Sequence, residues 1–274
     1  MKPSDCISRS IELISHEITE SKHFIAFTGA GISTESGIPD YRSKGGIWDK
    51  FRPVYIDEFM SSRDARVKYW KRKAELYPAL IDAQPNAAHN GLAELYELGF
   101  LKAIITQNID GLHQKAGIPD DATVELHGNN LRVRCMTCGR ISSIHEAQER
   151  IASGDCAPEC DCGGYLKPDT ISFGQSLHTD VLAEAHRQCR LCSTMLVIGS
   201  TLLVQPAAGL PDMAKQNGAF LAIINLSETP CDDICDVLIR EKAGVAVQAI
   251  VDKIKEIVSS RLHPESGSAF GRGV

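Results

Sequence analysis

The stretch HFIAF-TGAGISTESGIPDYRS, residues 23–43, predicts the fold of this chain. Its first five residues form an apolar run that suits a buried strand, and the glycines that follow suit a tight turn. A strand that feeds a glycine turn and a helix N-terminus brings backbone N–H groups to one point, where a phosphate can bind. We therefore expect a nucleotide at this turn.

The turn departs from the usual dinucleotide fingerprint. Thr34 stands where that fingerprint has its third glycine, and Gly37 and Pro39 end any helix after about a turn and a half. The chain then continues as a loop rather than as a long helix. This loop carries an acid, an aromatic and a base that suit ligand contact: Asp40, Tyr41 and Arg42.

The composition argues against several classes of protein. The chain has 274 residues, of which 43% are hydrophobic, so it can bury a large core. A net charge of −6 argues against nucleic acid binding. No segment has the roughly 18 consecutive apolar residues of a membrane span. We expect a soluble cytoplasmic monomer that binds neither nucleic acid nor membranes.

Strand-like apolar runs alternate with helical patterns along most of the chain. The expected strands are 23–27, 101–106, 123–126, 195–198 and 219–224, and the expected helices are 5–20, 63–73, 86–98, 179–192, 206–217 and 247–258. This alternation predicts an α/β fold, with a parallel Rossmann-like sheet covered by helices on both faces. Ligands of such sheets bind beyond the carboxyl ends of the strands.

Polar or glycine residues follow these expected strands. They are Gln107, Asn108 and Asp110 after the second strand, His127 after the third, Gly199 and Ser200 after the fourth, and Asn225 after the fifth. Because the carboxyl ends of parallel strands meet at one edge, we expect these residues to share one crevice.

Two cysteine pairs predict a structural zinc site. Cys135 and Cys138 form the first pair, Cys160 and Cys162 the second, and each pair is followed by glycine. Short knuckles of this kind let four thiolates converge tetrahedrally on a zinc that takes no part in chemistry. The second pair has one intervening residue instead of two, so Cys156 is an alternative ligand to Cys160. The other cysteines, including a pair at 189 and 192, are interpreted as core or surface thiols.

These motifs together resemble the sirtuin family of NAD-dependent protein deacylases. They occur in the family's order: GAGIS at 29–33, GIPDYRS at 37–43, TQNIDGLH at 106–113, ELHG at 125–128, the cysteine pairs, LKPDTISFG at 166–174 and GSTLLVQPA at 199–207. The resemblance implies a discontinuous NAD-binding domain (1–43, 86–130 and 171–262). It also implies a small domain made of a helical segment (44–85) and the zinc-binding module (131–170). Residues 263–274 have no periodicity and are expected to be a disordered tail.

The resemblance also implies a reaction in which NAD and an acylated lysine give the free amine, nicotinamide and O-acyl-ADP-ribose. His127 would be the general base, since a neutral imidazole accepts a proton near neutral pH. Asn108 would order the ribose and a water. The other implied cofactor contacts are Gly29, Ala30, Gly31 and Arg42 at the pyrophosphate, Asp40 and Tyr41 closing over the cofactor, Gln107 at the ribose, Ile109 and Asp110 at the nicotinamide, and Gly199, Ser200 and Asn225 at the adenosine.

The acyl-lysine substrate is expected in a cleft between the two domains. Phe173, Gly174 and Val204 resemble the family's peptide cleft, where an extended substrate would pair through its backbone. Tyr69 and Arg72, three apart on an expected helix, are similar to the pair that reads acidic acyl groups in desuccinylating relatives. The alternative is a solvated basic helix face with the tyrosine packed inward. Acetyl, acidic and longer acyl groups therefore all stay open.

Two other functions are compatible with the same motifs. A mono-ADP-ribosyltransferase or NAD hydrolase would use the same cofactor loop and nicotinamide pocket. A non-catalytic module that binds NAD or acyl-lysine would not need His127.

Overall fold

A computed structural model describes residues 3–40, 46–47 and 52–262 of the chain. Tyr41, Arg42 and the expected tail at 263–274 lie outside the described residues. Within the described ranges, no helix is both long enough and apolar enough to cross a membrane.

A six-stranded parallel sheet forms the centre of the larger part of the fold. Its strands are β1 (Phe24–Thr28), β2 (Leu101–Thr106), β3 (Thr123–Glu125), β7 (Thr194–Ile198), β8 (Phe220–Ile224) and β9 (Val237–Ile239). Their order across the sheet is β3-β2-β1-β7-β8-β9, and every neighbouring pair is parallel. The predicted Rossmann-like sheet is confirmed. Because the order reverses between β1 and β7, a crevice opens there at the carboxyl edge.

Nine α-helices and three short 3-10 helices accompany the strands in the described part of the chain. The α-helices are α1 (Pro3–Glu20), α2 (Ile56–Ser61), α3 (Arg63–Asp82), α4 (Ala87–Glu97), α5 (Leu112–Lys115), α6 (Ile144–Ala152), α7 (Thr179–Leu191), α8 (Leu210–Gln216) and α9 (Ala243–Leu262), and the 3-10 helices are Ala30–Ser36, Asp120–Ala122 and Ala207–Gly209. The helix expected at 63–73 runs nine residues further, to Asp82. The helix expected at 206–217 is divided into a 3-10 turn and α8.

Alternate residues of each central strand pack on opposite faces of the sheet. On one face, Ala26 of β1 lies in a core with side chains of α1, α4 and α9, such as Ile14, Leu92 and Ile250. On the other face, Phe27 lies in a core with side chains of α7 and α8, such as Cys189. All of β1 is buried, which explains its continuous apolar run.

A small antiparallel sheet lies apart from the large one. It consists of β4 (Gly128–Cys135), β5 (Ile141–Ser143) and β6 (Leu166–Thr170) in the order β5-β4-β6. Its core contains Val133 and Trp70 of α3, whose indole N–H donates to the Leu166 carbonyl over 3.1 Å. Helix α3 and the cysteine-containing segment therefore pack together, although they are far apart in the chain.

Candidate active site

The loops after β1 and β7 touch backbone to backbone where the strand order reverses. The N–H of Gly29 donates to the Ile198 carbonyl (3.0 Å), and that of Gly31 donates to the Gly199 carbonyl (2.8 Å). A Cβ added to Gly31 would lie 2.7 Å from the Gly199 oxygen, and one added to Gly199, whose φ is +64°, would collide with Ile32 N. Only glycines permit this approach.

The glycine turn leads into the 3-10 helix Ala30–Ser36, which ends at Gly37 with φ +83°. The side chain of Asn86 attaches this helix to the start of α4, because its amide donates to the Ile32 carbonyl over 2.7 Å and to Ser36 Oγ over 3.0 Å. The segment thus has the short helix expected from Gly37 and Pro39, but of the tighter 3-10 type.

A cavity of about 550 Å³ opens at the carboxyl edge of the sheet, a volume within the usual range of ligand sites. Its lining includes most of the predicted site residues: Ala30, Gly31, Asp40, Tyr69, Arg72, Gln107, Asn108, Ile109, His127, Phe173, Gly174, Gly199, Ser200, Val204 and Asn225. A smaller cavity of about 120 Å³ adjoins it and adds Ser33 and Asp110. Gly29 is not part of this lining, although its N–H donates to the Ile198 carbonyl, and Tyr41 and Arg42 are outside the described residues.

Asp110 is held in a fixed orientation beside the smaller cavity. The hydroxyl of Ser33 donates to its Oδ2 over 2.7 Å, and the N–H of Leu112 donates to its Oδ1 over 3.0 Å. Burial raises the pKa of Asp110, and these hydrogen bonds oppose that effect. The amide of Asn108 in turn donates to Ser33 Oγ over 3.1 Å. Ser33 belongs to the GAGIS motif but was not among the residues predicted for the site.

His127 has a defined tautomer. Its Nδ1 lies 3.0 Å from the Gln107 carbonyl, which can only accept, so Nδ1 carries the proton. In the neutral ring, Nε2 is then the nitrogen that can accept a proton. The backbone is held as well, because the N–H of Ile171 donates to the His127 carbonyl over 2.9 Å. The geometry suits a general base at the edge of the cavity.

The polar groups along the cavity fit a dinucleotide. Nε2 of Gln107 is buried without a partner among the described residues, so it is a donor available to a ligand hydroxyl. Ser200 Oγ donates to Oε1 of Gln107 over 3.4 Å. The Asn225 amide donates to the Ser227 carbonyl over 2.8 Å at the end of β8. With the glycine contact described above, these groups could hold the pyrophosphate and the hydroxyls of a dinucleotide.

Tyr69 and Arg72 both reach the cavity from α3. Tyr69 is only 3% exposed, and its hydroxyl lies 3.5 Å from Thr170 Oγ1, while burial raises its pKa. Arg72 donates to the Arg52 carbonyl over 3.1 Å, and its Cζ lies 5.6 Å from the tyrosine ring. The tyrosine packs inward, as the alternative interpretation expected, but Arg72 lines the cavity rather than a purely solvated face.

Lys73 is a cavity residue that was not predicted as a site residue. Its Nζ donates to Asn130 Oδ1 over 2.7 Å, and the residue lines both cavities. Burial, together with the charges of Arg72 and Lys167, lowers its pKa to about 7. In the sequence, only the position of Lys73 next to Arg72 could have indicated that it lines the cavity.

An exposed aromatic surface borders the outer end of the cavity. Phe173 is 40% exposed, and its ring centroid lies 5.7 Å from that of Tyr55. Its carbonyl accepts from the N–H of Ile56 over 3.0 Å, and Gly174 follows with φ +79°. Val204 lines the same cavity from the loop after β7. These residues form a surface that a peptide could reach.

The four predicted zinc ligands come together at one point. Their sulfur atoms all lie within 4.8 Å of one another, with Cys135–Cys162 at 3.6 Å and Cys138–Cys160 at 3.8 Å. Zinc–sulfur bonds of about 2.3 Å in a tetrahedron place the sulfurs about 3.8 Å apart, so the thiols fit zinc. Cys156 is exposed, lies outside this cluster, and directs its thiol to the Gly154 carbonyl over 3.5 Å.

Comparison with known proteins agrees with this site. Residues 29–206 match the model of the Sir2 family. An NAD-dependent protein deacetylase of Thermodesulfovibrio yellowstonii is 44% identical over 250 residues, which is 91% of this chain and 95% of that protein. An NAD-dependent protein deacylase 1 of Archaeoglobus fulgidus is 39% identical over 90% of this chain and 99% of its own length. A solved complex of a Sir2 protein with a p53 peptide and NAD+ has a TM-score of 0.75 and 36% identity, covering 89% of this chain and 96% of that one. This chain therefore belongs to the Sir2 family, the sirtuin NAD-dependent protein deacylases.

Proposed function

We propose that the cavity holds NAD and an acylated lysine side chain together, with His127 as the general base that takes a proton from the ribose. The observation that supports this role is the hydrogen bond from its Nδ1 to the Gln107 carbonyl, which leaves Nε2 as the proton acceptor. The relative solved with a peptide and NAD+ shows that such a fold accepts both ligands. NAD supplies the leaving group, and the residues of this chain position the reactants.

Asn108 and Asp110 are proposed to act at the nicotinamide end. The oriented carboxylate of Asp110 borders the smaller cavity and can accept from a carboxamide. Ile109 lines both cavities and supplies an apolar wall for the ring. Asn108 is linked to the same carboxylate through Ser33, so its amide is positioned to order a ribose hydroxyl or a water.

The remaining cofactor contacts follow the order of the loops. We assign the pyrophosphate to the turn at Gly29, Ala30 and Gly31 and the adenosine half to Gly199, Ser200 and Asn225, with Gln107 at a ribose. Asp40 lines the cavity, which supports its contact with the cofactor. Tyr41 and Arg42 keep their proposed roles from the sequence.

We further propose that Tyr69 and Arg72 read an acidic acyl group. Three facts support this: Arg72 lines the cavity, the tyrosine hydroxyl is buried beside Thr170, and Lys73 adds a second basic residue to the same lining. An arginine can bind a carboxylate through two parallel hydrogen bonds. Acetyl-lysine is the alternative substrate, since the curated relatives are named deacetylases or deacylases.

Phe173, Gly174 and Val204 are proposed to bind the peptide on either side of the acylated lysine.

The described geometry is also compatible with the domain division proposed from sequence, in which residues 131–170 form the zinc-binding module. A cytoplasmic, monomeric protein is likewise kept as a proposal, and its cytoplasmic location is supported by the ten cysteines, none of which is paired in a disulfide. A four-thiolate zinc is closed, so it would stabilise the module without performing chemistry.

The decisive experiment measures nicotinamide release from NAD with and without an acyl-lysine peptide. Release that depends on the peptide, with equimolar formation of deacylated peptide, supports the deacylase. Release without peptide would favour the NAD hydrolase, and transfer of radiolabel from NAD to protein would favour the ADP-ribosyltransferase.

A further inference from the structure

Two buried histidines next to the active site have no place in the proposed reaction. His89 of α4 is 0% exposed and His113 of α5 is 2% exposed, and their ring centroids lie 5.1 Å apart. Each ring has one nitrogen that is buried without a partner among the described residues, Nε2 in His89 and Nδ1 in His113. A buried polar atom without a partner is costly, so this pair needs an explanation.

The hydrogen bonds of Thr28 determine where the proton of His113 lies. The Thr28 hydroxyl donates to Thr106 Oγ1 over 2.8 Å, so it has no proton left for His113 Nε2, which lies 2.9 Å away. Nε2 must therefore be the N–H that donates to Thr28. In the neutral ring, Nδ1 of His113 is then an acceptor without a donor.

The contacts of Asn86 determine the opposite arrangement in His89. The backbone N–H of Asn86 donates to His89 Nδ1 over 3.4 Å, so this nitrogen is unprotonated. In the neutral ring the proton is on Nε2, which is a donor without an acceptor. The two unpartnered nitrogens are thus complementary. Burial lowers the pKa of His89 to about 4 and that of His113 well below its usual value, so both rings are neutral at physiological pH.

We propose that His89 Nε2–H donates to His113 Nδ1, either after a small ring rotation or through one buried water, and that this link makes Thr28 and both histidines positioning residues for Asn108. The link completes a chain of hydrogen bonds through the core. One end is Asn86, whose amide holds the 3-10 helix Ala30–Ser36, here called the cofactor-loop helix, at Ile32. The other end is Thr106 Oγ1, which accepts from the N–H of Asn108 over 3.0 Å.

The chain of hydrogen bonds reaches the backbone of Asn108, whereas Ser33 reaches its side chain. Its backbone is held by Thr106, and its side chain is held by Ser33 Oγ, which belongs to the cofactor-loop helix. Both supports therefore lead back to the same helix, one through Ser33 and the other through Asn86. This inference rests on the proposed role of Asn108, but the hydrogen-bond chain itself can be tested without activity.

The first test is a two-bond ¹H–¹⁵N correlation spectrum of the full chain labelled with ¹⁵N-histidine, at pH 6. His113→Phe and His89→Phe variants assign the signals. We expect both rings to be neutral with the proton on Nε2. A charged ring, or a proton on Nδ1 of either histidine, would overturn the proposal whatever the enzyme's activity.

The second test uses Thr28→Val, with Thr28→Ser as the matched control that keeps the hydroxyl. We expect Thr28→Val to lower kcat of peptide-dependent nicotinamide release by about tenfold, the size of one hydrogen bond, with little change in KM for the peptide. Thr28→Ser should restore kcat to within about twofold.

The same substitution in an Asn108→Ala background separates positioning from general structural damage. If Thr28 acts through Asn108, Thr28→Val should change the residual rate of Asn108→Ala by less than about twofold. An additive tenfold loss in the double variant would refute the positioning role. The activity of the wild-type enzyme tests the proposed function separately. Failure of the positioning role can therefore be distinguished from failure of the proposed function.

Discussion

The N–H of Gly31 donates to the carbonyl of Gly199 over 2.8 Å, and this bond joins the two loops that flank the reversal of strand order. The contact lies at the turn to which we assign the pyrophosphate of NAD. It leaves no room for a side chain on either glycine. At this contact, backbone atoms alone set the distance between the loop after β1 and the loop after β7.

The first prediction concerns this contact. Gly199→Ala should lower the free energy of unfolding by about 2–4 kcal/mol, because its Cβ collides with Ile32 N and its φ of +64° is strained for alanine. NAD binding measured by calorimetry should be lost as well. Gly209→Ala is the control, because the nearest atom to its Cβ is 3.5 Å away. Unchanged NAD affinity in Gly199→Ala would contradict our placement of the cofactor.

The second prediction concerns His127. His127→Ala should lower kcat for deacylation by about 10²- to 10⁴-fold, the usual contribution of a general base. The affinity for NAD should stay within a few fold, since the proposed pyrophosphate, adenosine and nicotinamide contacts are all kept. The control is His145→Ala, at an exposed position of α6, which should leave kcat and the NAD affinity unchanged. Steady-state kinetics and calorimetry check this, and a full-rate His127→Ala enzyme would refute the general base.

The third prediction concerns the acyl group. If the guanidinium of Arg72 binds an acidic acyl carboxylate, Arg72→Met should lower kcat/KM for a succinyl-lysine peptide by about ten- to a hundredfold. The value for an acetyl-lysine peptide should change by less than about threefold. Lys71→Met removes an exposed charge from the neighbouring position and serves as the control. Equal losses on both peptides would show that Arg72 does not select the acyl group.

The fourth prediction concerns the metal. Elemental analysis should find one zinc per chain, and Cys162→Ser should lose it, because three thiolates hold zinc less well than four. Cys156→Ser should keep the full zinc content, since this thiol lies outside the cluster. Removal of the zinc with a chelator should unfold the small sheet. Loss of zinc from Cys156→Ser would show that the ligand set is wrong.

The fifth prediction concerns Lys73. Because its pKa is about 7 in the folded state and about 10.4 in an unfolded chain, the unfolded state binds more protons between these values. Burial of Lys73 therefore lowers the free energy of unfolding most below pH 7, and this destabilisation declines as the pH rises above 7. Lys73→Met should stabilise the protein more at pH 6 than at pH 9, as measured by urea denaturation. Lys68→Met, an exposed position on the same helix, should show no such difference.

The sequence predicted the large sheet better than the small one. The predicted strand at 101–106 coincides with β2, because five of its six residues are buried and apolar or small. In contrast, β4 contains Arg132 and Arg134 and was not predicted as a strand. Both arginines pair with Asp169 of β6, over 3.3 and 2.7 Å. A charged strand of this kind is stable only beside its partner, which the local pattern cannot show.

The candidate site shows the same division. Gln107, Asn108 and Asp110 were predicted as site residues because they directly follow a buried strand in the sequence. Ser33 and Lys73 were missed, because their partners, Asp110 and Asn130, are 77 and 57 residues away in the chain. The orientation of Tyr69 was left open for the same reason, since its packing depends on Thr170, which is 101 residues away.

The sequence by itself determined the fold class, the crevice at the strand ends and the spacing of the zinc thiols, because apolar runs, glycine turns and cysteine knuckles are local patterns. Only the tertiary structure decided which proton each buried histidine carries and which atoms hold Asn108. Those properties depend on hydrogen-bond partners and on burial, and both come from residues that are distant in the sequence.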